Sequence, residues 1–245
     1  MVDRLFSEPE LAELYDALCA GRDDFGFYLP LVMSARTVLD VGCGTGELLH
    51  LAREAGHTGR LCGLDPAEAM LARARRRRAD VEWVLGDPES TAWDGEFELA
   101  VMTGHAFQVF VDDDRLRSSL ASIRSALTRD GRFVFETRNP QARAWEQWIP
   151  ENEVQVTGPR GEVVRSWHQV EEPVVGDTVT FTQTLTGPRW DRPRTSRSTL
   201  RFLGAGELAS FLYEAGLTVA EQYGDWERGP LTDDSAEIVT VAVRS

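Results

Sequence analysis

With 245 residues, 42% of them hydrophobic, the chain is long enough to bury the core of one large domain or of a domain carrying an insertion. Forty acidic residues against 26 basic ones leave a formal charge of -14, which repels a phosphate backbone and argues against RNA or DNA as partner. No stretch approaches the roughly eighteen apolar residues of a membrane helix. The opening MVDRLFSEPELAELYDAL is charged where a signal peptide needs an apolar core, and Cys19, Cys43 and Cys62 lack metal-ligand spacing. A cytoplasmic protein with no membrane, metal or disulfide is expected.

In chain order, the first thirty or so residues are predicted helical. In SEPELAELYDALCA, Ser7 precedes Glu10 in a capping-box pattern, with Pro9 in the first turn. TVLDVG is predicted as a short buried strand, and GELLHLAREAG as a helix stopped by Gly56. RLCGLD follows as a second strand, and PAEAMLARARRRRA as a helix with Pro66 at its first position. VEWVLGD and FELAVMTG are the third and fourth strands, DDDRLRSSLASIRSAL a helix with an acidic start, and GRFVFETR the fifth strand. Arg73 to Arg78, RARRRR, is read as the solvated end of a helix, where cations complement the dipole, rather than as a nucleic-acid patch.

Short apolar strands alternating with helices imply right-handed crossovers and a parallel sheet. After Arg138 the alternation stops. GEVVRSWHQVEE, GDTVTFTQTLTG and TSRSTLRFL have period two and Gly or Pro turns, the signature of antiparallel strands. GAGELASFLYEAG then returns to a helix, and LTVAEQYG and AEIVTVAVR close the chain as strands. The expected fold is α/β, a doubly wound, seven-stranded Rossmann-like sheet with an antiparallel β insertion after the fifth strand. The expected division is a helical cap at 1–35, the α/β domain at 36–140 and 204–245, and the insertion at 141–203.

VLDVGCGTGELLHLA carries the chemistry. A P-loop needs Gly-Lys-Ser/Thr, but Gly46 is followed by Glu47 and Leu48. The dinucleotide fingerprint spaces its glycines G-x-G-x-x-G; here they fall at Gly42, Gly44 and Gly46, with Glu47 at the third glycine's place. Asp40 and Glu47 would repel a pyrophosphate and suit a ligand bearing an ammonium and a sulfonium, which points to S-adenosylmethionine rather than NAD. Asp65 ends the second strand about twenty residues past the loop, where a carboxylate can accept ribose hydroxyls. Asp87 ends the third strand at the height of an adenine amino group. Singly, each acid also reads as a cap, Asp65 for the following helix and Asp87 for a turn.

VLDVGCGTG, GLDPAEAML, VLGD, FELAVMTGHAFQV and LTRDGRFVFETRNP together resemble the class I S-adenosylmethionine-dependent methyltransferases. The likeness is strong over 36–140, extends by pattern over 204–244, and is greatest to bacterial small-molecule enzymes with an antiparallel lid after the fifth strand. It implies that Asp40, Gly42, Gly44 and Gly46 hold the methionine part, Asp65 the ribose and Asp87 the adenine amino group. Ala67 and Met70 would cover the adenine ring. It further implies a small-molecule methyl acceptor, and leaves a homodimer open.

The fourth strand ends in Met102, Thr103, Gly104 and His105, beside the expected sulfonium. His105 is a candidate general base, or a side chain that only orients substrate. Tyr15 and Tyr28 lie in the segment expected to fold across the cofactor, with Tyr15 a candidate active-site hydroxyl or core residue. Asn139–Pro140 follows the wrong strand for an adenine methyltransferase motif. Trp145, Trp148, Trp167 and Trp190 are expected to pack the lid's own core or to wall a pocket. His168 and Trp167 occupy opposite faces of one strand. Two other readings remain: a protein that binds the cofactor without transfer, and an NAD-dependent oxidoreductase, which Glu47 disfavours.

Overall fold

A computed structural model describes residues 2–245. The chain opens with four helices, α1 (Arg4–Ser7), α2 (Pro9–Ala12), α3 (Tyr15–Leu18) and α4 (Phe25–Ser34). The continuous capped helix expected from Ser7 is absent. Pro9 disfavours helical geometry at Glu8, which sits extended at φ -86°, ψ 120° and starts α2. The Ser7 hydroxyl donates back to the Asp3 carbonyl instead of capping forward.

The α/β unit then runs β1 (Thr37–Val41), α5 (Glu47–Glu54), β2 (Arg60–Asp65), α6 (Glu68–Arg77), β3 (Glu82–Leu85), β4 (Phe97–Met102), α7 (Asp113–Ala126) and β5 (Leu127–Arg138). Pro66 lies outside α6, contrary to the sequence expectation. The N-cap is Ala67, whose N–H donates to the Asp65 carboxylate at 2.8 Å. An antiparallel sheet follows, made of β6 (Val154–Thr157), β7 (Val163–Val170), β8 (Thr178–Thr186) and β9 (Arg194–Arg201). Three of these strands were legible. β6 was missed because its four residues are almost wholly exposed and give no alternation of burial. Helix α8 (Ala205–Glu214) and strands β10 (Leu217–Tyr223) and β11 (Glu237–Arg244) complete the chain.

The large sheet has the order β10-β11-β5-β4-β1-β2-β3. Neighbours from β5 to β3 pair in parallel, while β11 runs against both β5 and β10. This is the doubly wound, seven-stranded α/β architecture the alternation predicts. Period two splits the strand side chains between two cores. Leu39, Val41, Ala100, Met102, Phe133 and Phe135 pack beneath α7 and α8. Val38, Leu99, Val101, Val134 and Val239 face α4 and α5. In the small sheet, β8 alternates strictly, and Val164 and Leu185 close on Leu5, Leu11 and Leu14 of the N-terminal segment. On its other side the segment meets Ala67 and Met70 at the start of α6 through Ala12, Phe6 and Tyr15, so it is held between the small sheet and that helix.

The arginine run forms ion pairs along and beyond α6. Arg75 meets Glu68, Arg78 meets Asp80, and Arg73 and Arg77 both reach Asp16.

Candidate active site

Strand order reverses between β1 and β4, and a doubly wound sheet binds ligands at the carboxyl ends on either side of such a switch. The loops after these strands touch here, since a Cβ on Gly42 would lie 3.0 Å from the Ala106 Cβ. Gly42, Gly44 and Gly46 all have positive φ, so their amides can turn toward the crevice at no steric cost. Across the loop, a Cβ on Gly44 would lie 3.4 Å from Met70 Cε and 3.7 Å from the Tyr15 ring. Met70 and Tyr15 thus flank the loop, together with Ala67.

Asp65 is buried and accepts from the Gly44 and Ala67 N–H groups, both at 2.8 Å. Burial raises its pKa and these two donors lower it, with burial dominant. Its capping role and its place beside the loop are therefore compatible. The Asp87 carboxylate caps no turn. It pairs with Arg115 of α7 at 2.9 Å, while Ser90 closes the turn onto the Asp87 backbone. Glu47 is paired with Arg77 on the surface, so the repulsion expected of it at the loop falls to Asp40. Met102 points into the core under α7 rather than toward the crevice. Thr103 is half-buried just past β4.

Asp40 is 1% exposed, and its Oδ1 has no hydrogen-bond partner among the described residues. Desolvation pushes its pKa up to about 7, against the pull of the Arg22 guanidinium. An orphaned buried carboxylate oxygen beside a glycine loop is the mark expected of a site that takes a cation. Arg22, in the segment joining α3 to α4, supplies the complementary charge. It is held by Asp24, with Nε 2.8 Å from Oδ1, and it abuts Gly104. An amino-acid moiety carrying both an ammonium and a carboxylate matches Asp40 and Arg22 together. A cleft of about 350 Å³ lies on the outer side of Arg22, lined by Tyr15, Asp16, Arg22, Phe25, Thr45, Glu47 and Arg77, and does not reach Asp40 or Asp65. A second, of about 450 Å³, lies at the amino ends of the strands near Arg36 and Glu98, away from the switch point.

The sheet face toward α4 is apolar along most of its length and becomes charged at the carboxyl end of β5. On this face lie Val134, Glu136 and Arg138 of β5, with Val239 and Glu237 opposite them on β11. Glu136 is fully buried; it accepts from the Tyr28 hydroxyl and, at 2.8 Å, from the His105 backbone N–H. His105 has φ 61°, a left-handed conformation uncommon outside glycine, and the bond to Glu136 helps fix it there. Its Nε2 lies 2.9 Å from Glu237 Oε2. Burial pushes the imidazole down to about 4 and the Glu237 carboxyl up to about 7. Arg138 is bonded to Gln108 Oε1 at 2.9 Å and stacks over Trp148, 5.3 Å from the ring centre.

The inner face of the small sheet continues this wall. Trp148 packs on Phe181 at 4.7 Å and near His168 at 6.2 Å, and Trp145 packs on Phe202 at 4.6 Å. His168 points inward and its strand neighbour Trp167 outward. Trp190 packs with the N-terminal segment instead. Sequence reasoning missed Arg22, Asp24, Glu136, Arg138 and Glu237. For Glu136, Arg138 and Glu237 the available signal was charge inside the apolar strands FVFETR and EIVTVAVR; Arg22 and Asp24 lie outside them. Among the described residues, no group of three or more His, Cys, Asp or Glu side chains could hold a metal ion, and no helix is long and apolar enough to cross a membrane.

Fold, switch-point crevice and glycine loop are those of a doubly wound α/β protein that binds its ligand at the carboxyl ends of the strands. Residues 38–131 match the family model described as a methyltransferase domain. A 2-phytyl-1,4-naphtoquinone methyltransferase of Thermosynechococcus vestitus is 34% identical over 117 residues, covering 46% of this chain and 51% of its own. The chain thus spans about half the length of the curated relatives it matches. A S-adenosylmethionine-dependent methyltransferase from Clostridium acetobutylicum superposes with a TM-score of 0.78 over 96% of this chain and 98% of that one, at 14% identity. An amino pentose methyltransferase from Micromonospora echinaspora, solved with S-adenosylmethionine bound, gives 0.71 over 95% and 97%, at 22% identity. These two likenesses are of fold.

Proposed function

We propose that the protein transfers a methyl group from S-adenosylmethionine to nitrogen or oxygen of a small molecule, releasing S-adenosylhomocysteine. The observation that carries this reading is the buried Asp40 with its unpartnered oxygen beside the three-glycine loop, opposite Arg22. The cofactor-binding names of the structural neighbours and the methyltransferase names of the sequence relatives support it. When bound, S-adenosylmethionine supplies an electrophilic methyl group on a positive sulfur.

In this reading Asp40 holds the cofactor's ammonium, Arg22 its carboxylate, and Gly42, Gly44 and Gly46 let the chain approach it closely. Asp65 receives the ribose, for which its bonds to Gly44 and Ala67 pre-set the carboxylate. Met70 and Ala67 cover the adenine and Asp87 faces its amino group, with Thr103 at the crevice floor. Residues 1–35 act as a cap, 141–203 as a lid, and 36–140 with 204–245 as the cofactor domain. The acceptor lies between His105 and the wall made by Arg138, Trp148, His168 and Phe181, with Tyr15 closing the loop side. A cytoplasmic setting accords with the free cysteines.

Calorimetry with S-adenosylmethionine and S-adenosylhomocysteine tests the cofactor. Formation of S-adenosylhomocysteine with a panel of amines, phenols and amino sugars tests transfer. Binding without turnover on every acceptor would leave a cofactor-binding protein, and failure to bind either ligand would overturn the reading.

A further inference from the structure

We propose that Glu237 is the positioning residue that decides which nitrogen of His105 carries the proton, and thereby whether Nδ1 can accept a proton from the methyl acceptor. The proposal rests on the methyl-transfer reading for the acceptor, but its core is a statement about two side chains of this chain.

His105 is fixed at two points. Its backbone N–H is held by Glu136, itself anchored by the Tyr28 hydroxyl, and its Nε2 is held by Glu237 at 2.9 Å. Glu237 sits in register with Arg138 at the β11–β5 ladder, so the carboxyl group is placed by the sheet rather than by a loop. Nδ1 has no hydrogen bond among the described residues and is not among the sealed, partnerless polar atoms, so it keeps contact with solvent. One imidazole nitrogen is therefore occupied and the other is open.

An ionised Glu237 accepts from Nε2–H, which leaves the lone pair on Nδ1, where a proton can be taken up. A protonated Glu237 donates to Nε2, which forces the ring proton onto Nδ1 and closes that nitrogen to the acceptor. Going from the second state to the first, the Nδ1 proton passes to solvent and the carboxyl proton moves to Nε2, a net loss of one proton. During transfer the acceptor's proton goes to Nδ1, and the resulting imidazolium faces the Glu237 carboxylate through Nε2–H.

Burial holds the imidazole neutral down to about pH 4 and raises the Glu237 carboxyl to about 7, so the change of state falls near neutrality. Arg138 of β5 and Asp24 face Glu237, the first favouring and the second opposing its ionisation. Arg138, Arg22, Glu136 and Asp24 face His105. The arrangement puts a titrating carboxyl group in control of a neutral base.

The test is the tautomer of His105 in the free protein, read from nitrogen-15 NMR of the four histidines, with His105→Asn assigning the signal. The expected result is a proton on Nδ1 below about pH 6 and on Nε2 above about pH 8. In Glu237→Gln the tautomer should stop responding to pH over that range. If Glu237→Gln fails to fold, the carbon-13 titration of the Glu237 carboxyl in the unaltered protein must coincide with the tautomer change. Turnover should fall about tenfold per pH unit below the transition, in kcat rather than in the affinity for S-adenosylmethionine. A tautomer constant from pH 5.5 to 8.5, a Glu237→Gln protein that switches as before, or a kcat that ignores the switch would each overturn the proposal. A protein that switches tautomer but binds no S-adenosylmethionine would keep the pair and remove the methyl-transfer reading instead.

Discussion

The Trp83 indole occupies the space that a side chain at Gly46 would need: a Cβ there would stand 2.2 Å from the ring. The same ring faces Gly63 of β2, where a Cβ would lie 2.5 Å away, and Trp83 Nε1 donates to the Arg78 carbonyl at 2.7 Å. One aromatic side chain from β3 thus presses the glycine loop and the start of α5 onto the sheet. Gly46 also has φ 74°, so a substitution meets both a clash and a backbone penalty.

Gly46→Ala should therefore lower stability by about 2–4 kcal/mol, from overpacking and strain together. Thermal unfolding of the variant measures it. Trp83→Leu combined with Gly46→Ala should recover only part of the loss, because the smaller residue relieves the clash and leaves φ unchanged. Complete recovery would show that backbone conformation contributes nothing.

Asp65→Ala should weaken S-adenosylmethionine binding by roughly 1.5–3 kcal/mol through loss of charge-assisted hydrogen bonds. The side chain also satisfies the Gly44 and Ala67 amides, so Ala leaves two donors without their acceptor. Asp65→Asn retains one acceptor oxygen and should preserve more of the loop's order than of the affinity. Calorimetry beside hydrogen exchange at Gly44 separates the two effects, and unchanged affinity in both variants would remove the ribose assignment.

Much of this was legible because a buried parallel strand announces itself by an apolar run, and a switch-point loop by its glycines. Asp40, Asp65 and the loop were readable from VLDVGCGTG and GLD alone, since chain-local spacing fixes them. Glu136, Arg138 and Glu237 were not, because their meeting depends on β11 returning antiparallel beside β5 about a hundred residues later. The broken first helix has a local cause: Pro9 holds Glu8 extended, so the chain leaves helical geometry before a cap at Ser7 can form. β6 had no amphipathic pattern to read.

Stability of the free protein should fall as pH rises from about 5 to 8. Asp40 and Glu237, each raised by burial to about 7, contribute stability at low pH that is lost as pH rises through that value. His105, lowered to about 4, works the other way: its contribution is present above its ordinary value and is lost as pH falls toward 4. The maximum should accordingly lie on the acid side of neutrality. Asp40 alone accounts for ~4 kcal/mol at most. Asp40→Asn should flatten the acid-to-neutral decline, between about pH 5 and 7, in a series of unfolding curves, and an unchanged decline would place the charge elsewhere. S-adenosylmethionine should bind more weakly below pH 7, because its cation must displace the Asp40 proton.

His105→Ala tests the base itself. If Nδ1 takes a proton from the acceptor in the transition state, turnover should fall about 10²–10⁴-fold while cofactor affinity stays nearly intact, because the proposed reading puts the imidazole on the acceptor side of the crevice. An orienting role predicts a smaller loss, much of it restored by His105→Asn. Asn keeps a hydrogen-bonding group toward Glu237 and tolerates the left-handed backbone that His105 occupies. Ala adds strain at φ 61°, so its unfolding temperature must be measured alongside its rate. Tyr15→Phe is the companion experiment: the ring still covers Gly44 and only the hydroxyl is lost, so any change in rate reports that group. An acceptor amine already deprotonated when bound would need neither residue, and phenols compared with amines reveal that case. Full activity in both His105→Ala and Tyr15→Phe on every acceptor would remove both from the chemistry.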